Sequence, residues 1–138
     1  MAIGATLHSV GVDLELARTI QTINTVVILA LVVVTGVALP RTAGFLVAVI
    51  ATQLISPIVW SHYALLLLLP VAWLLDRRQW WAILIPLVHI WVLLPFAPNW
   101  TYSVAFHAAL IGVIVTGLRE RRASESSLRA QPCREPAA

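Results

Sequence analysis

From Ala43 to Leu75 the chain runs without a charged side chain. As one α-helix this stretch would measure roughly 50 Å, against a bilayer hydrocarbon core of about 30 Å. A single helix of that length fits neither a membrane nor a small soluble core, so the stretch has to turn. Pro57 is where it turns: proline removes a backbone donor and drives the preceding residue, Ser56, out of the helical region. The sequence therefore predicts two short apolar helices, about Ala43 to Ile55 and His62 to Leu75, joined through "SPIVWSH". Both come out short for a bilayer, which calls for tilt or local thinning.

The rest of the chain repeats this pattern. Residues 22–39 form an uncharged run ended by "LPRT", where Pro40 breaks the helix and Arg41 brings charge. Residues 80–96 follow "DRRQ", and residues 104–118 lie between the turn-like "APNWTYS" and "RERR". With 60% hydrophobic and 11% charged residues and a mean hydropathy of +0.91, the composition is far from the roughly 25% charge of soluble domains. The fold class predicted is all-α: a polytopic membrane bundle of about five transmembrane helices over residues 22–118. Residues 1–21 read as an external or interfacial segment, with Leu14, Ala17, Ile20 and Gln21 spaced for a short amphipathic helix after Asp13. Residues 119–138 are polar, small and proline-containing, and read as a disordered cytoplasmic tail.

The net charge of +3 comes from arginine alone, since the chain holds no lysine. Arg41, Arg77–Arg78 and Arg119–Arg121–Arg122 sit on alternate connections, hence on one side of a five-helix topology; only Arg18 dissents. By the positive-inside rule that side is cytoplasmic. The expected localisation is a multi-pass cell-membrane protein with its N-terminus outside and its C-terminus in the cytoplasm. Trp60, Trp100 and Tyr102 then fall at the outer interface, Trp80 and Trp81 at the inner one, as an aromatic belt requires. No basic recognition helix or aromatic–basic interleaving points to nucleic acid as a partner. Cys133, the single cysteine, has no partner for a disulfide or a metal set, and the four histidines lack ligand spacing. No metal and no cofactor are expected.

The candidate site is "SPIVWSHY", Ser56 to Tyr63, the most polar and aromatic cluster between two apolar runs. It reads either as a proline-made hairpin turn with interfacial aromatics or as an outward-facing site. His62 favours the site, because an imidazole can accept or donate a proton near neutrality. Ser56, Ser61 and Tyr63 add hydroxyls suited to a sugar or a polar head group. Gln53 lies one turn before Ser56 on the same helix face. Gln53, Ser56 and His62 make either one polar patch or a set of interhelical hydrogen bonds. His89 lies mid-span as a candidate functional residue or a hydrogen-bonded structural one. His107, preceded by Asn99, Trp100 and Tyr102, is placed to join His62 around an external cavity.

The stretch "LISPIVWSHYALLLLLPVAWLL", residues 54–75, resembles the polyprenol-phosphate-mannose-dependent mannosyltransferases, glycosyltransferase family 87. Ser56, Pro57, Trp60, Ser61, His62 and Tyr63 match a late segment of that family, and Pro70 follows. Val59 departs from it, standing where a small polar residue is common. The resemblance implies a GT-C membrane fold. It implies transfer of a hexose, typically mannose, from a polyprenyl-phosphate-sugar donor to a lipid or glycan acceptor at the outer leaflet. His62 would be the catalytic base or a contact to the departing phosphate, with Ser56, Trp60, Ser61 and Tyr63 binding substrate. The family's catalytic aspartate on an early external loop has no counterpart here. The chain is therefore expected to be a C-terminal portion completed by an upstream or partner chain. The alternative is a small multispan membrane protein without catalysis, a scaffold or subunit.

Overall fold

A computed structural model describes residues 7–8, 11–56, 65–87 and 100–130, and these are all helix and short connections. Helix α1 is Leu14–Ala38, helix α2 Arg41–Ile55, helix α3 Leu68–Asp76 and helix α4 Trp100–Ala130. A 3₁₀ turn at Trp80–Ile83 follows α3, and residues 84–87 continue helically from it.

The proline rule predicts both internal breaks correctly. Leu39 before Pro40 is extended at φ −104°, ψ 163°, and Ser56 before Pro57 is extended at φ −61°, ψ 125°. α1 starts where Asp13 caps it, the carboxylate accepting from the amides of Glu15 (3.0 Å) and Leu16 (3.3 Å). The separate amphipathic segment expected over residues 1–21 is corrected here. From Leu14 onward it is the first part of one continuous helix. Nothing between Leu14 and Ala38 breaks the helix, and the threonine hydroxyls are absorbed: Thr22 donates to Arg18 O at 3.0 Å and Thr25 to Gln21 O at 2.9 Å.

Two further expectations are overturned. Residues 119–130 are not a disordered tail but the last turns of α4. The segment holds no glycine or proline, and extending an existing helix needs no new nucleus. Ser124 donates back to Glu120 O at 3.0 Å, and Arg121 pairs with Glu125 at 2.8 Å. Residues 131–138 lie outside the described residues. The turn expected over "APNWTYS" also does not reach Trp100 to Ser103, which belong to α4; residues 97–99 lie outside the described residues. Tyr102 is buried, its ring 4.4 Å from that of Phe106 one turn on.

α1 and α2 form an antiparallel hairpin that closes on two glycines. A Cβ on Gly44 would stand 3.3 Å from the Gly36 Cα and 3.4 Å from the Thr35 carbonyl oxygen, so the backbones approach without intervening side chains. α4 packs against α2, with Gly117 set against Ala43, and against α3, with Gly112 under the Trp81 ring. α1 and α4 run parallel and touch at two levels fourteen residues apart on both: His107 with Asn24, and Arg121 with Ala38. The core between them is apolar, built from Ile28, Val47, Ile50, Leu67, Leu74, Phe106 and Val113. Thr35, Gln53, Thr101, Ser103 and Thr116 are buried with it, whereas valines and leucines stand exposed, Val37 at 88%.

Two helices are long and apolar enough to cross a membrane by length and composition: α1, and α4 over Thr101–Arg129. Arg41–Ile55 and Leu65–Asp76 are shorter apolar helices.

Candidate functional site

The arginine-bearing connections meet at one end of the bundle. Arg77, in the turn after α3, pairs with Glu120 on α4 and lies 3.3 Å from Asp76. Its guanidinium stacks 3.8 Å from the centroid of the Trp73 ring. Arg121 reaches across to α1 and donates to the Ala38 carbonyl at 2.8 Å, satisfying an oxygen that the helix end leaves open.

The turn between α3 and Trp80 is set by hydrogen bonds from Gln79 N to Leu74 O (3.0 Å) and from Arg78 N to Leu75 O (2.9 Å). This is a Schellman end in which Arg78, at φ 58°, occupies the left-handed position usually given to glycine.

Toward the other end lies a polar layer. His107 Nδ1–H donates to the Ser103 carbonyl at 2.7 Å, with Ser103 Oγ 3.3 Å from the same nitrogen. That bond leaves Nε2 of the neutral ring as an acceptor. Asn24 on α1 faces it, its Oδ1 3.4 Å away and its Nδ2 buried without a partner among the described residues. A half-turn of the amide exchanges the two atoms: Nδ2 then donates to Nε2, and both groups are satisfied. With a protonated ring the orientation with Oδ1 toward Nε2 is the matching one. Asn24 can therefore hold His107 in either protonation state.

Gln53 sits at the same depth. Counting ten residues from the Ala43–Gly117 contact leads to Gln53 along α2 and to His107 along α4, each about 15 Å away. Gln53 is 8% exposed; its Nε2 donates to Thr52 Oγ1 at 3.3 Å, and its Oε1 has no partner among the described residues. A groove of about 390 Å³ opens beside this layer, lined by Ser103, Val104, His107, Ala108 and Ile111. It combines an imidazole and a hydroxyl with an apolar wall, which suits an amphiphilic molecule better than a small polar one.

Of the residues singled out in the sequence, Ser56 ends α2 at the pole opposite the arginines. Pro57, Trp60, Ser61, His62, Tyr63, His89 and Asn99 lie outside the described residues. His107 lies two turns into α4, where Ser103 and Asn24 are its partners among the described residues. Asn24 was the residue that sequence reasoning missed. The available signal was its place as the single amide in the run of residues 22–39, whose other polar side chains are three threonines able to bond their own helix, whereas an amide needs a partner. Among the described residues no three of the His, Cys, Asp and Glu side chains gather as a metal site would need. Comparison of the chain with protein-family models, with curated proteins and with solved structures finds no match.

Proposed function

We propose that the chain is a multi-pass membrane bundle that forms part of a polyprenyl-phosphate-dependent hexosyltransferase resembling glycosyltransferase family 87, working at the leaflet away from its arginine cluster. The observation that carries this reading is the polarity along the bundle. Arg41, Arg77, Arg78, Arg119, Arg121 and Arg122 collect at one end, while Arg18 stands toward the other; the side facing out is apolar, and Ser56 with the Asn24, Gln53 and His107 layer lies toward that other end. The "SPIVWSHY" motif begins at that second end. Positive charge on one side and an enclosed polar layer toward the opposite one are what a membrane-embedded site facing outward requires.

In such a transfer the acceptor hydroxyl loses its proton as its oxygen bonds to the sugar C1. The C1–O bond to the carrier phosphate breaks, and the polyprenyl phosphate leaves as an anion. His62 would take the proton or neutralise the phosphate. Trp60 and Tyr63 offer faces for the sugar or the prenyl chain. The 390 Å³ groove beside His107 is suited to an amphiphilic substrate of this class.

The test uses membranes of the native host, which hold any chain that completes the enzyme, prepared with and without this chain and supplied with a polyprenyl-phosphate donor carrying radiolabelled mannose. Label should pass to lipid or glycan product above the level of cells without the chain, and His62→Ala should return it to that level. Equal labelling with and without the chain removes the transferase reading and leaves a multispan protein without catalysis.

A further inference from the structure

We propose that Arg119 and Arg122, with Arg41 and Arg78 at the same end of the bundle, form a docking surface for the phosphate groups of anionic lipids; the inference rests on the membrane reading above. Three observations converge on it.

The first is a change of character along one face of α4. Ile111, Val115 and Leu118 stand exposed at helical spacing, and the same stripe continues as Arg119, Arg122 and, two turns on, Arg129. A face that is apolar and uncovered for several turns and then basic matches the passage from acyl chains to head groups.

The second is the disposition of the acids. Asp76 and Glu120 are taken by Arg77, and Glu125 by Arg121. Arg41, Arg78, Arg119 and Arg122 are exposed and have no ion-pair partner among the described residues. The positive charge at this end is therefore not neutralised within the chain, and the guanidinium forks match phosphate oxygens.

The third is depth. Trp80 and Trp81 lie exposed at the same end, as residues of a head-group boundary do. Arg122 stands about 6 Å past Leu118 along the helix, within a head-group layer of roughly 5 to 8 Å. Arg129 stands about 16 Å past it, beyond that layer and about a Debye length further into solvent. The surface thus has a built-in control on its own helix.

The full chain is reconstituted into vesicles of phosphatidylcholine alone or of equimolar phosphatidylcholine and phosphatidylglycerol. It is then extracted in a neutral detergent, and the lipid retained with it is quantified. Wild-type protein should retain phosphatidylglycerol above its share in the vesicle. Arg119→Gln with Arg122→Gln should bring the ratio back toward the input, by about fivefold per arginine. Arg129→Gln should leave it unchanged. Arg119→Lys with Arg122→Lys should keep most of the enrichment, which separates loss of charge from loss of folding. A wild-type ratio equal to the input, or enrichment indifferent to the glutamine pair, overturns the proposal while the membrane reading stands. A chain that is washed off both kinds of vesicle by alkaline carbonate overturns the membrane reading itself.

Discussion

His107 and Asn24 show how much a single polar pair decides in an apolar bundle. The Nδ1–H bond to the Ser103 carbonyl fixes the tautomer, and the remaining nitrogen is then satisfied from α1. Because the amide can donate or accept, this contact outlasts a change in the charge of the ring. Asn24→Leu removes it and leaves Nε2 facing hydrocarbon. Thermal unfolding in detergent should show a loss of about 1 kcal/mol, within the range for interhelical hydrogen bonds in membranes. No change would mean that a water or another residue satisfies His107. The histidine was legible in the sequence and its partner was not, because a partner on another helix depends on packing and not on spacing along the chain. Gln53, picked out from its face on α2, proves to be buried, and its level with His107 follows only from the antiparallel register of α2 and α4.

At the scale of elements, the helix boundaries divide by cause. Pro40 and Pro57 act locally, so the C-terminal ends of α1 and α2 could be read directly. The extension of α4 to Ala130 and the merging of residues 14–21 into α1 could not, because both depend on propagation from a helix already formed. Polar composition was read as a boundary where backbone geometry imposed none. The turn after α3 is a further case, since it places an arginine where the backbone is left-handed. Arg78→Gly should relieve that conformation and raise stability by about 0.5 to 1 kcal/mol, after the entropy cost of glycine in the unfolded chain. The measurement belongs in neutral detergent, where the lost charge has no lipid phosphate to meet. A destabilised variant would show that the Arg78 side chain contributes more than its backbone costs.

For the whole molecule, the leading feature is that the outward helix faces are as apolar as the core, while a few polar side chains are buried within it. Val33 and Val37 on α1 face outward while Thr35 between them is buried, its hydroxyl donating to Leu31 O at 2.6 Å. In water that arrangement would expose a large apolar patch. In a bilayer it keeps polar groups paired within the protein. Val33→Lys separates the two settings. A solvent-facing lysine is close to neutral, whereas one in hydrocarbon costs about 2.5 to 3.5 kcal/mol and should lower membrane insertion sharply. Insertion equal to wild type would place this face in water.

The sequence alone determined that the chain is helical and where prolines stop it. These follow from hydrophobic run length and backbone sterics, which act over a few residues. Only the tertiary structure decided that Arg77 and Arg121 spend themselves on Glu120, Asp76, Glu125 and the end of α1, leaving their neighbours unpaired. It also brought Asn24, Gln53 and His107 to one level. Those outcomes depend on the parallel and antiparallel registers of three helices, set by close glycine contacts between segments far apart in the chain.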